Sequence, residues 1–153
     1  MSLDRIRLAS LHDKVMNAEQ AAAFIHDGMT VGMSGFTRAG EAKAVPLALV
    51  KRAKADPLKI TIITGASLGN DLDKQLTEAG VLARRLPFQV DNTLRKANNK
   101  GEVMFIDQHL SETVEQMRNK QLKKPDIAVI EAVAITEDGG IIPTPSVGNS
   151  ESF

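Results

Sequence analysis

Two loops of small residues hold the side chains that could do chemistry in this sequence. The first, "SGFTRAG" at positions 34–40, carries Phe36, Thr37 and one cation, Arg38. The second, "GASLGN", carries Ser67. Small residues let the backbone approach a ligand closely and offer N–H groups to a carboxylate or an oxyanion. The same composition is as typical of two tight turns, and spacing alone leaves both interpretations open.

Neither loop has the pattern of a nucleotide-binding motif. Gly32, Gly35 and Gly40 are spaced by three and five residues, whereas G-x-G-x-x-G requires spacings of two and three. The sequence also lacks the G-x-x-x-x-G-K-[ST] pattern of a phosphate-binding loop.

Histidines and isolated carboxylates are the other candidates. His109, in "FIDQHLSE", follows Asp107 by two residues, so a catalytic dyad is open, although the pattern favours a histidine that holds a loop together. His12 and His26 are interpreted as surface residues. The three histidines do not have the spacing of a metal site, so no metal is expected. Glu131 lies in an apolar run and is expected to be buried, with a perturbed pKa or with backbone donors that satisfy it.

Composition excludes several function classes. The chain has 153 residues, of which 42% are hydrophobic, and its 19 Lys and Arg balance its 19 Asp and Glu. No net charge attracts nucleic acid or an anionic membrane, and neither is expected as a partner. The absence of cysteine excludes disulfides and thiol catalysis. The charged amino terminus lacks the apolar core of a signal peptide, so a cytoplasmic location is expected.

Apolar runs alternate with helical patterns, which predicts an α/β fold with a parallel or mixed sheet and helices on its faces. Five strands are predicted, at 30–34, 59–64, 81–86, 102–107 and 126–136. Five helices are predicted, at 17–28, 46–56, 70–79, 92–100 and 112–120.

Capping residues predict where several helices begin and end. Asn17 is the expected N-cap of the first, with Gln20 completing a capping box and Gly28 closing the helix. Pro46 is expected at the first position of the second helix. Asp91 and Ser111 are expected to cap the fourth and fifth.

The carboxyl-terminal part carries a different pattern. Residues 126–136, "DIAVIEAVAIT", alternate little and predict one long strand buried on both faces. The turn "EDGG" then predicts a hairpin. The sequence stops at "SVGNSESF" with no helix after it, so we expect residues 1–153 to be a piece of a longer protein.

Six motifs, in this order, resemble the acetyl-CoA hydrolase/transferase family of class I CoA-transferases, and in particular its succinyl-CoA:acetate CoA-transferases. They are "GFTRAG" with "K-x-VP", "ITIITGAS-x-G", "R-x-PF", "FIDQHLS", "DIAVIEA-x-AITEDGGIIPT" and "SVGNS". The resemblance implies the amino-terminal CoA-transferase (NagB/RpiA-like) α/β domain, incomplete at its carboxyl end. A second domain, absent from 1–153, would carry the nucleophilic glutamate.

The activity implied by the resemblance is transfer of CoA between an acyl-CoA and a small carboxylate through a glutamyl-CoA thioester. Succinyl-CoA and acetate are the expected pair, while acetyl-CoA hydrolysis and propionyl-CoA:succinate transfer stay open. The CoA thioester would be a substrate, with no bound cofactor. A homodimer is implied for the whole enzyme, and residues 1–153 alone are expected to be inactive.

The resemblance also implies site residues. Gly35, Phe36 and Thr37 would form one wall of the acyl site, where the apolar ring excludes water, and Ser67 would donate a hydrogen bond to the substrate carboxylate. Three further candidates for substrate binding are His109, Asn149 and Ser150. No catalytic residue is expected within 1–153, and Arg38 receives no role.

A non-catalytic module is the alternative from another class. Sugar-phosphate isomerases and ligand-sensing domains of transcription factors share this type of α/β layer. A phosphate site would need a cluster of cations, which neither glycine loop supplies.

Overall fold

A parallel sheet forms the centre of the computed structural model, which describes residues 3–69, 72–145 and 148–153. Within these residues the sheet has five strands in the order β4-β3-β2-β1-β5, and every neighbouring pair is parallel. The predicted fold class is therefore confirmed. The strands are β1 Thr30–Met33, β2 Ile60–Thr64, β3 Leu82–Leu86, β4 Met104–Phe105 and β5 Ile127–Val129.

Four helices connect consecutive strands of this sheet: α2 Ala44–Ala53, α3 Leu72–Glu78, α4 Asn92–Asn99 and α5 Leu110–Arg118. Helix α1, Ala18–Ala22, precedes β1, and 3-10 helices lie at Ala9–Lys14 and Ser150–Ser152. Contacts join α1 to α2, α2 to α3 and α3 to α4, so these four helices form a continuous layer. None of the helices in the described ranges is long and apolar enough to cross a membrane.

The core lies where this layer meets the central strands. Ile60 and Ile62 of β2 are fully buried with Leu49 of α2 and Leu76 of α3. All of β1 is buried as well, because it lies between β2 and β5. Each such aliphatic side chain contributes about 1.5–3 kcal/mol by leaving water.

Two predicted helix starts are confirmed. The Asn17 side chain accepts a hydrogen bond from the Gln20 N–H, and the Gln20 side chain accepts one from the Asn17 N–H. At α4, the Asp91 carboxylate accepts from the Leu94 N–H.

Other predicted helix ends are wrong. Helix α1 ends at Ala22, well before Gly28, because the Arg52 guanidinium donates to the carbonyls of Ala22 and Ile25 and satisfies the end of a shorter helix. Helix α2 begins at Ala44, so Pro46 is its third residue. Proline is tolerated there because the first-turn N–H groups have no partner within the helix.

The start of α5 also differs from the prediction. The helix begins at Leu110, and His109 occupies the N-cap position expected for Ser111, without a side-chain capping bond. Strand β4 has two residues rather than six, and both are exposed. Helix α3 begins at Leu72 among the described residues; positions 70 and 71, which the prediction included, lie outside them.

The long buried strand predicted at 126–136 is wrong. It is divided into β5 and a separate strand β6 (Ala132–Ile135), and neither contains a fully buried residue. Strand β6 leaves the sheet and pairs antiparallel with β7 (Ile141–Pro143), forming the hairpin that "EDGG" predicted. In the described residues β5 is the edge strand, and β6 lies outside the five-stranded sheet, where it pairs with β7 and, through Ile135, with Ile6. Neither strand is therefore enclosed as the central strands are.

Candidate functional site

The loop after β1 is closed at its base by one buried serine. The Ser34 hydroxyl donates to the Gly40 carbonyl at 2.7 Å and accepts from the Glu131 N–H at 2.8 Å. It thus joins both ends of the glycine loop to the residue where the chain leaves β5. Sequence reasoning missed this role, because Ser34 was interpreted only as the end of a strand.

The tip of this loop is a two-residue turn that exposes Phe36. Phe36 and Ala39 exchange backbone hydrogen bonds, at 2.9 and 3.2 Å. Thr37 lies at the first turn position with φ 58°, a left-handed conformation that is rare for a β-branched residue. Such conformations persist where the surrounding structure holds them and often occur at ligand sites.

The loop after β2 contacts this turn from the side. Thr37 forms a parallel bridge with Leu68, and the Gly69 N–H donates to the Thr37 carbonyl at 3.2 Å. The same N–H lies 2.7 Å from Oε2 of Glu41, a fully buried carboxylate. The two small-residue loops therefore form one unit at the carboxyl ends of neighbouring strands.

Three glycines allow this close approach. A Cβ on Gly65 would lie 2.4 Å from the Gly148 Cα and 2.5 Å from the Gly35 carbonyl oxygen. Gly35 itself has φ 121°, and a Cβ there would lie 2.7 Å from the Glu41 Cα. Only glycine fits these distances, which supports the interpretation of these residues as a closely packed wall.

A buried ion pair supports the second loop from behind. Arg85 Nε donates to Asp73 Oδ1 at 2.9 Å, and both side chains are at most 1% exposed. The guanidinium also donates to the carbonyls of Ala66 and Leu86, while Asp73 Oδ2 accepts from the Leu68 N–H. The residues on both sides of Ser67 are thus held by this pair. Sequence reasoning missed both charges, although Arg85 belongs to the quoted "R-x-PF" motif.

The two loops and the segment after β3 enclose a cavity of about 360 Å³. We call it the acyl cavity, after the role that the resemblance implies for its residues. Three predicted residues line it together: Phe36, Thr37 and Ser67. Gly35 is buried beneath the turn and does not line it. The remaining lining residues are Arg38, Ala66, Leu68, Gly69, Asp73, Phe88, Val90 and Asp91.

The other predicted site residues lie elsewhere. His109 is exposed at the start of α5 and does not line the acyl cavity. Asn149 and Ser150 are buried, and the Asn149 amide donates to the Thr64 carbonyl at the end of β2 at 3.1 Å. This contact makes Asn149 a support of the second loop. Ser146 and Val147 of the "SVGNS" motif are outside the described residues.

The acyl cavity carries little net charge. Asp73 is paired with Arg85, and Asp91 caps α4, so Arg38 is the one cation among its described lining residues. A single cation is not the cluster of cations that a phosphate site would need. In the parts of the chain that the structure describes, no group of three or more potential metal ligands occurs.

Glu131 differs from the prediction of a buried carboxylate. Its side chain is 32% exposed and pairs with Lys43 at 2.7 Å. This hydrogen-bonded ion pair lowers the pKa of Glu131 below its ordinary value of 4.5, against the smaller opposing effect of desolvation. The Lys43 ammonium also donates to the Glu41 carbonyl at 2.9 Å. Its pair with Glu131 connects the start of α2 to the end of β5.

Known proteins are similar to this chain in sequence and in fold. The sequence profile of the acetyl-CoA hydrolase/transferase N-terminal domain matches residues 2–153. A succinyl-CoA:acetate CoA-transferase of Clostridium kluyveri is 44% identical over 97% of this chain and 28% of its own length. An acetyl-CoA hydrolase of Kluyveromyces lactis is 38% identical over 98% of this chain and 31% of its own length. The chain therefore spans less than a third of these relatives.

Solved structures agree at the level of the fold. An acyl-CoA transferase from Escherichia coli O157:H7, solved as a thioester complex with CoA, superposes with a TM-score of 0.57 at 19% identity. The match covers 67% of this chain and 22% of the transferase chain. With the family profile matching from residue 2 to residue 153, the chain belongs to the acetyl-CoA hydrolase/transferase family.

Proposed function

We propose that the protein transfers CoA between an acyl-CoA and a small carboxylate, and that residues 1–153 supply one wall of its acyl site. The observation that carries this proposal is the acyl cavity, in which Phe36, Thr37 and Ser67 meet on loops from adjacent strands. Succinyl-CoA and acetate are the proposed substrates, in keeping with the relative that is 44% identical.

The proposed chemistry is covalent catalysis by a glutamate outside residues 1–153. Its carboxylate attacks the thioester carbonyl, and the C–S bond breaks to give a mixed anhydride and CoA thiolate. The thiolate then attacks the glutamyl carbonyl of the anhydride, which releases the first carboxylate and leaves a glutamyl-CoA thioester. Attack by the second carboxylate and return of the thiolate to the new acyl group complete the exchange.

The residues of this chain would bind and shield the acyl group. The Ser67 hydroxyl donates a hydrogen bond to the carboxylate of the substrate. The Phe36 ring, half exposed on the turn, covers the acyl group and keeps water from the anhydride. Arg85 and Asp73 fix the backbone on both sides of Ser67, which supports this assignment. A donor that is already held in position needs little reorganisation when the substrate binds.

Acetyl-CoA hydrolysis is the second candidate, favoured by the relative that is 38% identical and bears that name. The two activities differ in whether water or a second carboxylate attacks the glutamyl-CoA thioester. A second domain that carries the glutamate, a homodimeric assembly and a cytoplasmic location belong to the same proposal.

The test uses the full-length protein with succinyl-CoA and acetate. Formation of acetyl-CoA at a rate well above that of free CoA release supports the transferase. Release of free CoA that acetate does not suppress supports the hydrolase instead, and the absence of both products would contradict the proposal.

A further inference from the structure

A second cavity lies beside the acyl cavity. It has a volume of about 300 Å³, at the lower end of the range for small-molecule sites. Phe88 and Val90 line both cavities, so the two are adjacent. A ligand whose reactive end lies in the acyl cavity would place its next segment near the second one. We call it the amide cavity, because Gln89, Asn98 and Asn99 line it.

Two buried amide oxygens in the amide cavity lack hydrogen-bond donors in the part of the chain that the structure describes. Gln89 is 8% exposed, and its Oε1 has no partner among the described residues. Asn98 Oδ1 is likewise buried without one. A buried acceptor without a donor is unfavourable, and native proteins seldom leave one without a functional or structural reason. Both oxygens are suited to accept from N–H groups of a ligand.

The other lining residues indicate a neutral ligand with apolar segments. Phe88 and Phe105 are each 49% exposed and offer ring surface to it. The charged lining residues are one cation, Arg95, and one anion, Asp107. Since they balance, and a phosphate group would favour a cluster of cations, a phosphate is not the part of a ligand that this cavity fits.

We propose that the amide cavity binds the pantetheine arm of the acyl-CoA, which rests on the proposed function. The arm has two amide N–H groups, matching the two acceptors Gln89 Oε1 and Asn98 Oδ1. Its methylene segments would pack on Phe88 and Phe105. Pantetheine is bonded directly to the thioester sulfur, so it must occupy space next to the acyl group. Adenine could also contact amides and aromatic rings, but it lies at the far end of CoA.

The test compares Gln89→Leu, which keeps the size of the side chain and removes its amide, with Asn92→Leu in the full-length protein. Asn92 is an exposed amide on α4 that lines neither cavity, and it serves as the matched control. Asn98→Ala is the second test variant, should Gln89→Leu fold poorly. Calorimetry measures the affinity for free CoA. Kinetics compares acetyl-CoA and acetyl-pantetheine with S-butyl thioacetate, a thioester without amides.

Loss of one neutral hydrogen bond should weaken CoA binding by about 5-fold. The kcat/KM for acetyl-CoA and acetyl-pantetheine should fall by a similar factor, while S-butyl thioacetate and the Asn92→Leu variant stay unchanged. An equal loss with all three thioesters, or an unaltered affinity for CoA, would overturn the inference and leave the proposed function intact. If the wild-type protein binds CoA without turnover, the proposed function fails and the affinities still decide the inference. A wild-type protein that does not bind CoA overturns both.

Discussion

Arg85 and Asp73 place opposite charges where water does not reach them. Their attraction and the hydrogen bonds to Ala66, Leu68 and Leu86 offset part of the cost of desolvation. Because these bonds end on backbone atoms, the pair determines the path of the loop that carries Ser67. Its effect on the acyl cavity is indirect, since Arg85 does not line that cavity.

Replacing Arg85 by methionine should destabilise the chain by about 3–5 kcal/mol, because Asp73 would stay buried without its cation. Urea denaturation measures the change in the free energy of unfolding. Arg118→Met is the control: its pair with Glu115 is 70% and 61% exposed, and its removal should change stability by less than about 1 kcal/mol. Adding Asp73→Leu to Arg85→Met should restore part of the loss. Equal effects of the two arginine substitutions would contradict the prediction.

Phe36→Ala should raise the ratio of hydrolysis to transfer in the full-length protein. Without the ring, water reaches the acyl group more easily, whereas the fold loses little because the side chain is 46% exposed. The measurement is free CoA released per acetyl-CoA formed from succinyl-CoA and acetate. Phe24→Ala, at a 60% exposed residue outside the acyl cavity, should leave this ratio unchanged. A ratio that moves equally in both variants would disprove a shielding role for Phe36.

At the scale of elements, the acyl cavity depends on loops that meet from β1, β2 and the turn at Gly148. The strands themselves were predictable, because runs of β-forming residues at 30–34 and 59–64 are a local pattern. The Ser34–Glu131 contact joins residues 97 positions apart, and no local pattern reveals it. The run 126–136 was predicted as one strand because its composition does not indicate where the chain leaves the sheet.

Gly65→Ala should separate these loops. Its Cβ would overlap the Gly148 Cα and the Gly35 carbonyl oxygen, both of them backbone atoms that move only with their loops. We expect a loss of about 1–3 kcal/mol in stability together with a raised KM for acetate. Gly28→Ala is the control, since φ is 76° there but a Cβ would meet nothing within 4 Å. Gly28→Ala should reduce stability without altering the KM for acetate. An unchanged KM for acetate in Gly65→Ala would show that the contact at Gly65 does not position the loops for substrate binding.

The Lys43–Glu131 pair should make the junction of α2 and β5 sensitive to acid. Because the pKa of Glu131 is lowered in the folded state, the pair stabilises the fold above the ordinary pKa of 4.5. This contribution is lost as pH falls through the lower, folded-state value. The stability difference between wild type and Glu131→Gln should thus be constant near neutrality and shrink below about pH 4.5. In a Lys43→Met background most of this pH dependence should disappear. If the pH dependence persisted there, a group other than the Lys43–Glu131 pair would be its cause.

At the scale of the molecule, the proposed function makes the acyl cavity one wall of a site whose other wall lies outside residues 1–153. Its lining comes from loops on one side of a single sheet, and the chain covers 28% of the C. kluyveri relative. Catalysis requires a nucleophile held in position against the thioester, and an error of about 1 Å can reduce the rate about 100-fold. A site open to water also lacks the low dielectric that makes its hydrogen-bond donors effective.

Residues 1–153 alone should therefore not exchange CoA between succinyl-CoA and acetate, whereas the full-length protein should. The assay follows acetyl-CoA formation at equal molar concentrations of the two proteins. Turnover by residues 1–153 that Ser67→Ala abolishes would place the nucleophile in this part of the chain and refute the prediction.

The division of the acyl cavity into a buried back and an exposed front bears on how such enzymes diverge. Gly65, Asp73 and Arg85 support the back, where substitution should destabilise the domain by about 1–5 kcal/mol. The front consists of Phe36, Phe88 and Val90, each 46–55% exposed, where surface substitutions usually change stability by less than about 0.5 kcal/mol. Selection can therefore alter the front without a compensating mutation elsewhere. Under the proposed function, one scaffold would then evolve between attacking groups, a carboxylate in one lineage and water in another, while its fold is retained.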